Sequence, residues 1–289
     1  MSDFQVTPLS PALGASITGV DLAAGAPDAS VIAQLDALLA RHLVLVIRDQ
    51  SLAPQAMVRV LSAFGPIMRQ HYSRYLAPDC PDVGILSSAD AERGADGRRV
   101  QLGVSCWHTD HINHELPPKC TVLHAVKLPR SGGDTSFANM RLAYRRLPAA
   151  MRERVERMRS VSGLDRELVS VRQADRERHG TPSVHPLVRT HPVTGEPALY
   201  FHPSKLDHFE GMSREDSIAF ITELQEQVLV PELIYRHRWQ LGDLLLCDNR
   251  ACVHRAHDDY DHDEGRVMYR LLIQGDRPYF RPAARLNFD

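Results

Sequence analysis

Trp107-His108-Thr109-Asp110-His111-Ile112-Asn113-His114 lies before the middle of the 289-residue chain, and Asp248-Asn249-Arg250-Ala251-Cys252-Val253-His254-Arg255-Ala256 lies near its end. Two imidazoles and one carboxylate, those of His108, Asp110 and His254, suggest a facial triad that holds Fe(II) and keeps coordination positions open for reactants. His108 and Asp110 are two apart, so on an extended strand both side chains leave the same face and can grip one ion. A helix would need ligands three or four apart, as zinc protease helices have. A His-x-Asp tripeptide is nevertheless common by chance, so the meaning of this one depends on its surroundings.

Composition narrows the classes. With 34 Lys and Arg against 36 Asp and Glu, the net charge is −2 and both signs are spread along the chain. No electrostatic footprint for nucleic acid or an anionic membrane is visible. The apolar stretches are far shorter than a membrane span, and Met1-Ser2-Asp3-Phe4 lacks a basic segment followed by an apolar one, so the expectation is a soluble, cytoplasmic protein. The five cysteines include no CxxC pair, which argues against a disulfide scaffold or zinc ribbon and for buried, reduced thiols. A chain of this length can form one large β-rich domain, and residues 1–289 are read as one.

The pattern around the ligand segments is that of short strands broken by turns. β-Rich runs fall at Leu43 to Ile47, Cys120 to Lys127, Ala198 to Phe201, Ile234 to Trp239, Leu244 to Leu246 and Val267 to Ile273, with turn signals at Ser131-Gly132-Gly133-Asp134 and Gly242-Asp243. Helices are expected at Pro27 to Arg41, Pro54 to Phe64, Met140 to Leu147 continuing through Arg159, and Ser213 to Val228. Pro27 and Pro54 suit a first helical turn, and Ser213 suits an N-cap. The fold expected is mainly β with flanking helices, a barrel or double-sheet jelly roll. The polar stretch 87–101 reads as a mobile active-site loop.

Several segments in order, WHTDHINHELPPKCTVLHAVKLPRSGGDTSFANMRLAYRRLP from Trp107, HLVLVIRDQSL from His42, FGPIMRQH ending at His71, HPLVRTHPVTGEPALYF from His185 and LGDLLLCDNRACVHRA around His254, resemble the TauD/TfdA family of Fe(II)- and 2-oxoglutarate-dependent dioxygenases. The resemblance runs from about residue 10 to about residue 282. It implies a double-stranded β-helix of the cupin type, Fe(II) on His108, Asp110 and His254, 2-oxoglutarate as cosubstrate, and O2. In that family an arginine about a dozen residues past the distal histidine takes the far carboxylate of 2-oxoglutarate, assisted by a threonine of the GGDT turn; these map to Arg266 and Thr135. A guanidinium suits that carboxylate because its donors match it in one plane.

Arg270 lies four beyond Arg266, on the same face of a regular strand. The resemblance gives it either the anionic end of the prime substrate or a share in holding 2-oxoglutarate. His71 falls near a substrate-contacting histidine of the family, and His111 and Asn113 are further candidates for substrate contact. The polar His111-Ile112-Asn113-His114 and the His202 after Phe201 depart from the taurine enzymes, so taurine is not implied. The expected reaction is hydroxylation of a small, anionic substrate such as a sulfonate or carboxylate, with succinate and CO2 as coproducts. A polar amino-acid-like or natural-product substrate is the alternative. A zinc hydrolase and a catalytically silent metal-binding sensor are the readings from other classes. A homo-oligomer, dimer or tetramer, follows from the resemblance alone.

Overall fold

The structure, a computed structural model, describes residues 4–25, 27–70, 75–90, 92–93, 99–100, 106–164 and 173–282. Its main sheet has nine strands. Along the path run Gln5–Pro8, Ala15–Thr18, Val44–Ile47, Leu244–Asp248, Pro118–Lys127, Val267–Gln274, Cys80–Ser87 and Leu76–Ala77, with Ile67–Met68 pairing the far end of Val267–Gln274. All pairings in it are antiparallel except that of Ala15–Thr18 with Val44–Ile47. A second sheet of three strands places Thr135–Asn139 between Ile234–His237 and Cys252–Ala256.

Alternation along the central strands divides the core. Val44 and Val46 with Leu245 and Cys247 pack toward Phe137 and Val253 of the second sheet. Leu45 and Ile47 with Leu244, Leu246, Val122 and Leu271 pack the other way, against Leu35 and Leu39 of the helix Ala29–His42 and Met57 and Val60 of Pro54–Leu61. The central strands are thus buried on both faces and read as continuous apolar runs, as a sheet covered on each side must. Two facing sheets with flanking helices, Ala29–His42 and Pro54–Leu61 against the second of these clusters and Met140–Arg146 and Arg214–Val228 against the first, give the jelly roll expected from sequence.

Local chemistry sets the helix ends. Pro54 occupies the first turn as expected, where a missing N–H is harmless. Ser213 caps Arg214–Val228, its Oγ accepting from Asp216 N at 3.0 Å. Pro27 instead precedes the N-cap Asp28 of Ala29–His42. The single helix expected from Met140 through Arg159 is two, Met140–Arg146 and Ala149–Glu156, because Pro148 forces Leu147 into an extended conformation with ψ 140°. Ser87 ends its strand, a 3-10 turn follows at Ser88–Asp90, and Glu92–Arg93 pairs with Arg99–Val100; the rest of the expected loop 87–101 lies outside the described residues. All five cysteines are free, Cys106 half-buried and the others buried.

Candidate active site

The two ligand segments meet as a single β-bridge. His108 N donates to His254 O at 3.0 Å and His254 N donates to His108 O at 2.8 Å, which brings the imidazole centroids to 4.3 Å. His254 sits on Cys252–Ala256, at one side of the three-stranded sheet, opposite Phe137 in register. The expectation of one strand carrying both His108 and Asp110 is corrected: His108 makes only that bridge, and Asp110 opens a turn whose next residue, His111, has φ 49°. The groups converge all the same. One ligand atom from each of His108, Asp110 and His254 lies within 4.8 Å of the others, and all three residues are buried.

The donors are held in the form a metal needs. His108 Nδ1 donates to the carbonyl of Cys106 at 2.8 Å, which leaves Nε2, 3.8 Å from Asp110 Oδ1, with a free lone pair. Asp110 Oδ2 accepts from Thr121 Oγ1 at 2.5 Å, and that hydroxyl accepts from Asn249 Nδ2 at 2.8 Å. The Asn249 carbonyl takes the Thr109 hydroxyl at 2.8 Å. Thr121, from the main sheet, therefore holds the carboxylate directly, and Asn249, from the turn before Cys252–Ala256, holds Thr121 and accepts from the Asp110 backbone N at 3.3 Å. Neither was expected from sequence; hydroxyl and amide side chains give no spacing signal, although Asn249 lies inside the quoted distal segment. His254 Nδ1 has no hydrogen-bond partner among the described residues, and the ring is positioned by its backbone pair and by Phe137 at 6.0 Å.

Charge in the site is arranged around Asp110. Burial alone would raise its pKa, but Arg270, His254, His108 and the Thr121 hydrogen bond outweigh burial and hold it well below the usual carboxylate range. Burial, with His108 beside it, pushes His254 down to about 3. For His108 burial is outweighed by the Cys106 hydrogen bond and Asp110, which raise its pKa, so an ion bound at Nε2 would displace a proton there. Neutral His254 and ionised Asp110 are ready ligands, and this donor set suits a divalent ion such as Fe(II).

A cavity between the sheets joins these residues to both arginines. Leu86, Thr121, Leu123, Met268 and Arg270 line it from the main sheet, Thr135, His254 and Ala256 from the second, with Arg266 at the entry to Val267–Gln274. Arg266 is 6% exposed and makes no ion pair among the described residues, an expensive state for a guanidinium. Burial lowers its pKa. Its Nε donates to Gly133 O at 3.1 Å, across a glycine with φ 70° where a Cβ would stand 3.1 Å from Arg266 Cδ. The Gly-Gly turn expected from sequence thus lets Arg266 pack closely against Gly133, in the same cavity as Thr135. Thr135 Oγ1 also accepts from Trp239 Nε1 at 3.0 Å. Arg270 Nη1 stands 3.8 Å from Asp110 Oδ1.

The other expected residues are distributed differently. His71 lies outside the described residues. His111 is buried with its ring 5.7 Å from that of His114. Asn113 Oδ1 accepts from Lys205 Nζ at 2.8 Å, and Asn113 lines a separate cleft with His114, His179 and His185. Neither His111 nor Asn113 is among the residues lining the cavity that holds Arg270. His202 packs on His108 with centroids 4.8 Å apart.

The family model for the taurine catabolism dioxygenase TauD, TfdA family matches residues 5–272. The chain belongs to the TauD/TfdA family. Among its relatives, an alpha-ketoglutarate-dependent sulfate ester dioxygenase of Pseudomonas putida is 33% identical over 96% of this chain and 91% of its own length. An alpha-ketoglutarate-dependent 2,4-dichlorophenoxyacetate dioxygenase of Cupriavidus pinatubonensis is 30% identical over 93% and 97%. The crystal structure of a taurine dioxygenase from Burkholderia xenovorans superimposes with a TM-score of 0.78 at 34% identity, covering 95% of this chain and 92% of that one. This TauD/TfdA member is accordingly an Fe(II)- and 2-oxoglutarate-dependent dioxygenase that uses O2, and the zinc hydrolase and silent sensor readings fall away. No described helix is long and apolar enough to cross a membrane.

Proposed function

We propose that the enzyme oxidises a small organic substrate with a singly charged anionic head, of the sulfate ester, sulfonate or carboxylate class, and most often returns it hydroxylated. In this reading His108, Asp110 and His254 hold Fe(II), Arg266 and Thr135 take the far carboxylate of 2-oxoglutarate, and Arg270 meets the substrate's anion. When bound, iron and 2-oxoglutarate together supply the oxidising power, with succinate and CO2 as coproducts.

The observation that carries the anionic reading is the cavity's charge. Among the described residues, Asp110 is the one acidic side chain lining it, against Arg266 and Arg270. Fe(II) would add two positive charges and 2-oxoglutarate two negative ones, which leaves one positive charge unbalanced in a buried space. Buried charges are stable when paired, and a monoanionic substrate completes the pairing. The sulfate ester and phenoxyacetate relatives support this class.

The protein's own part is positioning. Thr121 and Asn249 orient Asp110, the Cys106 carbonyl keeps His108 Nε2 toward the metal, and the apolar side chains Leu86, Leu123 and Met268 exclude water from the reacting region. We further propose that residues 1–289 act as one catalytic domain, assembled as a dimer or tetramer in the cytoplasm, where five free thiols stay reduced. The test is a screen of alkyl sulfates, sulfonates, aryloxyalkanoates and their uncharged counterparts for substrate-stimulated succinate release. An anionic best substrate whose KM rises in Arg270→Ala is the expected result; a neutral best substrate processed normally by that variant overturns the reading.

A further inference from the structure

Gly84 stands directly across from Arg270 where Cys80–Ser87 pairs with Val267–Gln274. A Cβ on Gly84 would lie 2.5 Å from Gln70 Nε2 and 2.6 Å from Gln70 Oε1. The carboxamide of Gln70 therefore fills the room that any other residue at position 84 would take. From that slot it makes two bonds to a single residue: Oε1 accepts from Arg270 Nε at 2.8 Å, and Nε2 donates to the Arg270 carbonyl at 2.8 Å. Gln70 is only 6% exposed, so both bonds are shielded from water. One holds the guanidinium and the other holds the main chain it grows from.

We propose that Gln70 is a specificity-determining positioning residue, which by occupying Arg270 Nε makes Arg270 meet the substrate's anion end-on through its terminal nitrogens, beside Asp110. This rests on the reading of Arg270 as the anion contact. A guanidinium otherwise offers two edges to an anion, one through Nε and one terminal nitrogen, the other through both terminal nitrogens. Gln70 closes the first edge. The remaining edge is anchored near the metal site, where Arg270 Nη1 is 3.8 Å from Asp110 Oδ1. Glutamine is the fitting residue here. A glutamate would accept from Nε equally well but would oppose the Arg270 carbonyl with no proton to give, and it would neutralise the charge meant for the substrate. Gly84 belongs to the same device, because only a residue without a side chain leaves the slot open.

The experiment compares wild type, Gln70→Ala, Gly84→Ala, the double variant, Gln70→Glu and Arg270→Ala with two readouts. The first needs no ligand: in protein labelled with 15N-arginine, the Arg270 Nε–H resonance, assigned by its loss in Arg270→Ala, is expected to be resolved and slow to exchange in wild type. It should broaden or exchange rapidly in Gln70→Ala and in Gly84→Ala. The second is calorimetric binding of hexyl sulfate to the anaerobic Fe(II) and 2-oxoglutarate complex. Gln70→Ala and Gly84→Ala should each weaken it by about tenfold, and Gln70→Glu by more, while 2-oxoglutarate affinity changes by less than about twofold.

Adding Gly84→Ala to Gln70→Ala should do no further harm, since the new methyl group then meets no carboxamide. An unchanged Nε–H resonance in Gln70→Ala, or losses that add independently in the double variant, overturns the proposal. If hexyl sulfate and the best anionic substrate of the screen each bind Arg270→Ala as well as wild type, while the resonance responds as expected, then the anion-contact reading of Arg270 fails and the clamp alone stands.

Discussion

Replacing Arg266 with methionine should abolish most of the stabilisation that 2-oxoglutarate gives the enzyme while leaving the ligand-free protein nearly as stable as before. Arg266 is buried, the one described hydrogen bond of its side chain runs to Gly133 O, and it forms no ion pair among the described residues. Methionine keeps most of the bulk and gives up a single carbonyl bond, so the ligand-free change should stay within about 1 kcal/mol. For the complex, removing one partner of a buried charge-assisted contact costs about 2–5 kcal/mol, or roughly 30-fold and upward in Kd. At a concentration of about 100 times the wild-type Kd, bound ligand stabilises wild type by about 2.7 kcal/mol, whereas a 30-fold weaker variant keeps only about 0.9 kcal/mol. At roughly 2–4 °C per kcal/mol, thermal melts with Mn(II) in place of iron should show a shift of about 5–11 °C in wild type and about 2–3 °C in Arg266→Met. A variant whose shift matches that of wild type would refute the placement of the 2-oxoglutarate carboxylate at Arg266.

His108→Ala, Asp110→Ala and His254→Ala should each fold yet lose most bound iron, as metal analysis of purified protein will show; near-normal iron in any two of them would sink the triad. Thr121→Val removes the hydroxyl that holds Asp110 Oδ2 and strands Asn249 Nδ2, so metal affinity should fall about 10–100-fold with the fold intact, measured by competition with a chelator. His185 supplies a pH dependence away from the metal: its Nε2 donates to His114 O at 2.6 Å, its Nδ1 is buried without a hydrogen-bond partner, and burial depresses its pKa from 6.5 to about 4. With the folded value below the unfolded one, its contribution to stability is complete above 6.5 and is lost as pH falls toward 4. Denaturant melts should therefore lose about 1.4 kcal/mol per pH unit from this group in that window, and His185→Gln should flatten the slope. An unchanged slope in that variant would remove His185 from the account.

The parts of the fold that were legible in the sequence are those whose signal is local. Val44–Ile47 and the Leu244–Cys247 stretch of Leu244–Asp248 announce themselves because burial on both faces makes them apolar runs, and Pro118–Lys127 and Val267–Gln274 because β-branched and other apolar residues dominate their middles. Pro54 and Ser213 mark helix starts by chemistry confined to one turn. The strand Cys252–Ala256 was missed although it carries His254, since it mixes three buried residues with the half-exposed Arg255 and Ala256 and shows neither period clearly. The break at Pro148 was readable from the proline rule, and the amphipathic character of the flanking residues hid it.

In the site, the triad and both arginines, which the fold brings to one cavity, were named from spacing shared with a family. The residues that position them were not. Thr121 reaches Asp110, Asn249 reaches Thr121 and Gln70 reaches Arg270 only after the chain has folded, and a threonine, an asparagine or a glutamine looks the same in sequence whether it faces water or a ligand.

The reciprocal backbone bond between His108 and His254 also fixes when the enzyme can acquire its metal. It closes a loop of well over a hundred residues, an entropic expense of about 4 kcal/mol that local segments cannot meet on their own. A chain still emerging from the ribosome presents His108 and Asp110 long before the third donor has been synthesised, and two donors without their partner make a weak, unselective site. The complete set of three donors therefore exists only once Cys252–Ala256, near the end of the chain, has joined its sheet and paired with His108.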